Sequence, residues 1–536
     1  MMLNKQDFAQ VEKPQNLTKE RLFRIEGALK TQDTVKGMSW GLISALIYSL
    51  SPLISYITVS SEHEYGSFVS STMYVVWQEV FAAIIMCLCY KPTEFFRYFK
   101  KLKDPRSWLI VLIGVTAGPI AMVMLTLAAQ FTIVAGGQKD DTIAGMLLNL
   151  NAILACLLSN ALYKTKNSKL AYMAFFVSAG LIVGLSIHFC IEKDIQPIGV
   201  LGIIFGLVAA VLYALEAVFM YAVMNKMHLN LSDREVVSIK TGTSAILMLI
   251  FAMPIASLAD HDTAVNGYKA FALMGDWVIA IKYIIGGVLM GFGRMMYYYC
   301  IKHASGSYAA SSQLLMLFWT PIIQYIMVGI QKYVGDPFLL QNEQDKWGPH
   351  VSINSGILIV EPEWWYWVYA IPIVIALLVI VFDENFFQIA EKKGWKAAAL
   401  FFKEQNRMSE KDQKLMDKYE QEFLMRKKKK IERKIAKMSE AKKLEFIQKR
   451  KSKEDLRKKR DLKWQESNIK AAAKWEAMND KMHQKYLQLS QEKRDKIEAR
   501  SVKKEQAEKD VYWKKVLAYN ERIERHEKLK NNHANL

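Results

Sequence analysis

Apolar residues in this chain gather into runs of membrane length, parted by polar linkers. The runs fall at about 38 to 60, 68 to 90, 108 to 130, 142 to 163, 170 to 190, 198 to 224, 236 to 258, 277 to 300, 307 to 330 and 364 to 382. A run of about twenty apolar residues spans the hydrocarbon core as a helix, because no water is there to satisfy a less regular backbone. The pattern therefore predicts an all-α polytopic membrane protein of roughly ten transmembrane helices. Three polar stretches remain: residues 1 to 36, an insertion at 331 to 363, and everything from 384 to 536. The membrane domain is expected over 37–383, with one half at 37–190 and the other at 198–383.

Between Trp277 and Gln331 the pattern is unusual. Gly286, Gly287, Gly291 and Gly293 precede Arg294 and Tyr297-Tyr298-Tyr299, a polar bend follows at Lys302 to Ser307, and Thr320-Pro321 interrupts the next run. Small residues let helices approach closely in lipid, and a buried Arg or a helix-breaking Pro is tolerated where protein or water lines a cavity. A transport path is expected here. The stretch has an echo earlier in the chain. Shifted by about 169 residues, Trp108 falls on Trp277, Gly118 on Gly287, and Ala135-Gly136-Gly137 on Ala304-Ser305-Gly306. At an offset of about 165, Ala45, Tyr48, Leu50 and Tyr56 fall on Ala210, Tyr213, Leu215 and Tyr221. Two copies of five helices enter the membrane from opposite sides, which predicts inverted repeats with a binding site near the midplane.

Charge sets the expected sides. Lys91, Arg97, Lys100, Lys101, Lys103 and Arg106, then Lys164, Lys166 and Lys169, then Lys226 and Arg234, all fall on the side of the basic N-terminal stretch. The alternate loops carry few basic residues, so both termini are expected to be cytoplasmic and the insertion external. The first apolar run begins only near Met38 and is too long for a cleaved leader. From Glu384 onward 44 Lys and Arg face 26 Asp and Glu, so this tail holds about +18 of the net +19. After Trp395 it has neither Pro nor Gly and reads as nearly continuous helix, on the order of 200 Å if straight. Leu424, Ile431, Ile435 and Met438 keep heptad spacing briefly and then lose it, so the tail is helical or coiled coil.

The ten-run plan, the segment Trp40 to Tyr56, its echo at Gly199 to Tyr221, and the bend Ala304-Ser305-Gly306 leading into Thr320-Pro321 together resemble the drug/metabolite transporter superfamily, in its EamA-like group. The resemblance covers about 37 to 383 and implies a ten-helix carrier. Two places depart from the family's pattern. Ala152 stands where the fourth helix commonly has a proline, and Gly335-Asp336 before a long insertion stands where the family has Gly-Glu.

Ionisable residues inside apolar runs are the sharpest chemical signals. Glu79, Glu216 and Arg294 are such residues, and a charge at the bilayer centre costs at least ~2.5–3.5 kcal/mol, so each is expected to face a partner or water. By depth, Glu216 and Arg294 would pair, either as a bridge that only fixes packing or as groups that bind. A carboxylate would take a proton or a cationic substrate, and Arg294 a carboxylate or phosphate. Tyr48, Ser51, Asn149, Asn151, Tyr213, Gln313, Trp319 and Gln324 fill out a candidate cavity, each also readable as an interhelical hydrogen bond. Pro52 and Pro321 are candidate hinges, as broken helices or simple kinks. Tyr297 to Tyr299 and Trp364-Trp365-Tyr366-Trp367 read mainly as interfacial belt residues.

No phosphate-cradling loop, nucleophile motif or metal-ligand spacing is present, and the five cysteines sit in or at the ends of apolar runs. An enzyme, a cofactor and a metal site are therefore not expected. The reading reached is a plasma-membrane secondary transporter of a small polar metabolite, coupled to a proton or sodium gradient or to the substrate's own. The alternative is a membrane-anchored scaffold whose tail binds a cytoplasmic partner. Arg426 to Lys430 and Arg457 to Arg460 suit anionic lipid, and nucleic acid less well; with acidic residues interspersed throughout, the tail also reads as a solvated helical spacer.

Overall fold

The structure, a computed structural model, describes residues 19–60, 66–132, 147–163, 167–192, 199–227, 231–304, 306–334, 364–404, 410–436, 438 and 440–534. Among them no strand occurs. The long helices are α1 (Lys19–Ser60), α2 (Ser67–Tyr90), α4 (Trp108–Ala117) and α5 (Pro119–Phe131), with the short α3 (Pro92–Tyr98) in the linker between α2 and α4. They continue with α6 (Leu150–Tyr163), α7 (Lys169–Glu192), α8 (Gly199–Asn225), α9 (Asp233–Leu247) and α10 (Met253–Ala259). After the short α11 (Ala264–Lys269) come α12 (Trp277–His303), α13 (Gly306–Ser312), α14 (Met316–Val334) and α15 (Trp364–Val381). The tail forms α16 (Gln388–Lys393), α17 (Trp395–Glu404), α18 (Glu410–Ala436), α19 (Glu440–Leu487) and α20 (Gln491–Ala534).

Six helical spans among the described residues are long and apolar enough to cross a membrane: Ser67–Tyr90, Trp108–Phe131, Lys169–Glu192, Gly199–Asn225, Asp233–Ala259 and Ile279–His303. Leu150–Tyr163 and Trp364–Ile380 are apolar but shorter. Leu88, Leu112, Phe176, Ile191 and Ile255 lie exposed on the outside of the bundle. Such a surface is stable against lipid, not water. The chain is a membrane-embedded helical protein.

The remaining expected runs also lie on helix where they are described, with altered bounds, residues 142–146 of the fourth lying outside the described residues. The first is the second half of α1, whose 42 residues begin well before Met38. The ninth is interrupted by a tight 3-10 turn at Gln313–Leu315, and α14 then carries the helix on to Val334, inside the expected insertion. Residues 335–363, 1–18 and the echo positions Ala135-Gly136-Gly137 lie outside the described residues. Where the echo equates Gly118 with Gly287, the two are built differently: Gly118 joins α4 to α5 ahead of Pro119, whereas Gly287 lies inside unbroken helix.

Neither candidate hinge breaks its helix. α1 runs through Pro52, whose side chain lies outside the described residues, and α14 runs through Pro321. A proline at position i cannot donate to the carbonyl at i−4, which becomes an orphan acceptor. Tyr366 supplies the missing donor at Pro321, its hydroxyl donating to the Leu317 carbonyl at 2.6 Å. The same repair recurs at Pro254, which follows a π-turn at Met248–Ala252. There Tyr268 donates to the Ile250 carbonyl at 2.6 Å. Tyr366 is therefore a buried packing residue and not part of an interfacial belt, although Trp364 beside it is exposed.

Helix ends are tied across the bundle. Gly66 offers no side chain to cap α2, and Asp260 at the end of α10 does so instead, accepting from Phe68 N at 3.2 Å and Val69 N at 2.8 Å. α9 starts with a reciprocal box: Glu235 N donates to Ser232 Oγ at 3.2 Å and Ser232 N to Glu235 Oε2 at 2.8 Å. Ser168, ahead of α7, donates its N–H to Asp383 Oδ2 at 3.1 Å.

The tail is neither straight nor separate. It breaks at Gln488–Ser490, where Tyr486 reaches over to donate to Glu498 Oε1 at 3.1 Å. Trp475 of α19 stacks on Tyr163 with ring centroids 5.8 Å apart. On α20, Lys504 binds Glu235, Tyr512 donates to Glu26 and Lys515 lies 3.7 Å from Asp33. Burial and the bond to Glu26 push the Tyr512 phenol up. Lys101 also approaches Glu235, at 3.9 Å. The start of α1, the α3–α4 linker, the ends of α6 and α12, and the tail thus share one face of the bundle.

Candidate functional site

The site begins with how closely α2 and α12 approach. A Cβ on Gly287 or Gly291 would overlap Phe81 or Ile85 of α2, so this contact requires glycine. One turn beyond Gly291, Arg294 meets Glu79 through a two-pronged bridge, Nη1 to Oε2 and Nη2 to Oε1. Glu79 is fully buried and Arg294 nearly so.

A second ion pair lies beside the first. Lys240 of α9, 2% exposed, places Nζ 2.8 Å from Glu216 Oε1 of α8. Tyr298 donates its hydroxyl to the same oxygen at 2.6 Å. Lys240 Nζ also lies 5.8 Å from the centre of the Tyr298 ring, in cation–π range. The lysine fits because its contacts are glycine in α4 and at the α4–α5 junction: a Cβ on Gly118 would stand 2.6 Å from Nζ, and one on Gly114 would overlap the side-chain stem.

These groups border a cavity of about 70 Å³. Its polar lining is Glu216, Lys240, Arg294, Asn151 and Gln313, with the phenols of Tyr48, Tyr213, Tyr297 and Tyr298. Met122, Met290, Met316, Leu125 and Leu148 complete the wall. Gln313 donates its amide N–H to Ser44 Oγ at 3.2 Å, which fixes its orientation. Its Oε1, like Asn151 Oδ1, is buried with no hydrogen bond in the structure. Tyr213 donates to Met122 Sδ at 3.3 Å, and the Tyr48 and Tyr297 rings meet edge to face at 5.9 Å.

Of the residues expected at a cavity, Tyr48, Asn151, Tyr213, Glu216, Arg294 and Gln313 do line it. Glu79 stands behind Arg294 and not on the cavity surface. Asn149 is buried but does not line it, and Trp319 packs on Phe318 at 5.5 Å, away from it. The side chains of Ser51 and Gln324 lie outside the described residues. The expected pair of Glu216 with Arg294 does not form. The two share a depth, but depth leaves rotation about each helix axis open, and the glycine face of α12 turns Arg294 towards α2. The bridge uses one N–H on each terminal nitrogen of Arg294, and Arg294 itself lines the cavity. Tyr297 and Tyr298, expected in an interfacial belt, are buried at the cavity. Lys240 was not expected, although it is the one charge in the run 236 to 258.

No group of histidine, cysteine or carboxylate side chains that could hold a metal occurs among the described residues. No family model matches the chain and no curated protein matches it. A solved structure described only as a crystal structure of a protein is similar at 12% identity with a TM-score of 0.39, over 65% of this chain and 96% of its own. A likeness that low carries no argument.

Proposed function

We propose that this protein is a membrane carrier that moves a small polar molecule by alternating access, with its ten apolar runs as two inverted halves of five and the EamA-like plan as its architecture. The observation that carries the reading is the cavity, which places two ion pairs and unpartnered amide oxygens inside helices otherwise apolar. Ion pairs buried in low dielectric seldom stabilise more than an apolar core would, so a function other than packing accounts for keeping two of them. Its walls come from both proposed halves, α1, α5 and α6 on one side and α8, α9, α12 and α14 on the other. The shared face of basic linkers, N-terminal helix and tail supports cytoplasmic termini, and a plasma-membrane location fits a carrier of this kind.

The test is purified full-length protein, screened for ligand-dependent thermal stabilisation over amines, amino acids, nucleobases, vitamins and sugar phosphates, then reconstituted in vesicles for flux of each hit. A bound ligand stabilises by RT ln(1 + [L]/Kd), so weak binders register at high concentration. The expected result is saturable flux of at least one hit, lost in Arg294→Ala. Hits that bind without crossing the vesicle membrane would overturn the reading. They would favour the scaffold alternative, which draws support from the exposed run Arg426 to Lys430 on α18.

A further inference from the structure

We propose that the first half of α19 is a membrane-docking face, in which a stripe of Arg450, Lys453, Arg457 and Arg460 seats on anionic phospholipid headgroups of the bilayer that holds the bundle. The inference needs only a membrane-embedded bundle and does not depend on the carrier reading.

The second half of α19 lies lengthwise across the ends of membrane helices. Trp475 stacks on Tyr163 at the end of α6, Asn479 Nδ2 donates to the Lys226 carbonyl just past α8 at 3.5 Å, and the helix packs on the 3-10 turn Pro105–Ser107 ahead of α4. Trp475 and Met478 close over the core of the bundle. Trp464, Ala471, Trp475 and Met478 are all half-buried, and their steps of seven, four and three residues put them on one face of a helix with 3.6 residues per turn. Because it meets helix ends, this face looks towards the bilayer.

Followed towards the N-terminus, the same face keeps its register and changes its chemistry. Alternating steps of four and three from Trp464 arrive at Arg460, Arg457, Lys453, Arg450 and Phe446. Glu445, Glu454 and Asp455 fall off the face, and Asp461 borders it. Lysines off the face are engaged along the helix, Lys449 with Glu445 at 2.5 Å and Lys458 with Glu454 at 3.8 Å. Lys453 and Arg460 on it are exposed and make no ion pair among the described residues. Every described side chain from Gln448 to Lys463 is exposed, so no protein covers the face once it has left the bundle. The part from Glu440 to Lys463 reaches about 36 Å at 1.5 Å per residue, and what lies beside the bundle at this level is lipid headgroup. Three of the four bases are arginines, whose planar fork matches a phosphate. A face turned towards the bilayer also leaves no room for a nucleic-acid duplex, which favours lipid among the polyanions.

The test is hydrogen exchange on full-length protein in nanodiscs, of phosphatidylcholine alone or with about a third phosphatidylserine. Amides between Phe446 and Arg460 should slow by at least about tenfold in the anionic discs, since each basic residue near such a surface contributes about fivefold. Amides from Trp464 to Met478 should stay unchanged, and the slowing should vanish at about 1 M salt, where the screening length is ~3 Å. Arg450→Gln, Lys453→Gln, Arg457→Gln and Arg460→Gln together should abolish it. Lys451→Gln, Lys458→Gln, Lys459→Gln and Lys463→Gln together remove as much charge from the other faces and should leave most of it. Should either variant lose helix by circular dichroism, Arg457→Gln and Lys459→Gln are compared singly, the first expected to forfeit about fivefold of the slowing and the second little. Equal exchange in the two discs would overturn the inference and leave a solvated spacer. Equal loss from both sets of substitutions would overturn it as well, because net charge and not this face would then hold the lipid. Slowing by single-stranded RNA in neutral discs with no response to phosphatidylserine would assign the stripe to nucleic acid instead.

Discussion

Arg294 shows how much one side chain depends on its partner. With Glu79 fully buried against it, Arg294→Ala leaves a carboxylate in low dielectric, and losing one member of such a pair commonly costs ~3–5 kcal/mol. The expected outcome in thermal unfolding of detergent-solubilised protein is a large drop for Arg294→Ala and near-complete recovery for Glu79→Gln with Arg294→Gln, where no charge is left unpaired. If the double variant is as unstable as the single one, the loss comes from packing and not from charge. The charged residues themselves were legible in sequence, because Glu79, Glu216 and Arg294 stand out in apolar runs. Their pairing was not, because it depends on rotation about helix axes that only the glycine contact of α12 with α2 decides.

At the scale of elements, the helices persist where their sequence argues for a break, and the repair comes from elsewhere in the chain. Pro321 orphans the Leu317 carbonyl, and Tyr366, in the apolar helix α15, satisfies it. Leaving a buried acceptor without its donor costs ~1–3 kcal/mol, so Tyr366→Phe should destabilise by about that amount. In a Pro321→Ala background, where the backbone N–H again reaches Leu317, the same change should cost almost nothing. A double-mutant cycle on unfolding free energies checks this, and equal costs in both backgrounds would refute the repair. The aromatic run 364 to 367 was visible as a cluster. That one of its members serves a carbonyl of α14 is a contact between segments separated by an insertion, which no local pattern encodes.

For the whole molecule, the tail's role follows from where it lands. Trp475, Lys504, Tyr512 and Lys515 touch the end of α6, the start of α9 and the start of α1, and none of them lines the cavity. Deleting the chain from Lys403 onward should leave insertion, folding and flux in place, since the tail has no apolar run of membrane length. Two of the lost contacts are ion pairs, of which the exposed Lys515–Asp33 pair is worth ~0–1 kcal/mol and weakened by salt, and the others are a stack and a hydrogen bond, so the truncation should lower the melting temperature modestly and somewhat less at high salt. A truncated protein that folds in vesicles but carries nothing would show that the tail belongs to the transport cycle.

The sequence by itself determined the helical class, the apolar runs, the basic tail and most of the charged and polar residues at the cavity. These are local properties: hydropathy sums over one segment, and a charge among apolar neighbours is conspicuous without knowing its partner. Only the tertiary structure decided that Glu79 holds Arg294, that Lys240 holds Glu216, that tyrosines mend the turns before Pro254 and Pro321, and that the tail folds back onto the bundle. Each of these depends on which face of a helix meets which neighbour, and in lipid that choice is set by steric fit between small residues and by buried polar pairing, both of which need two segments in place at once.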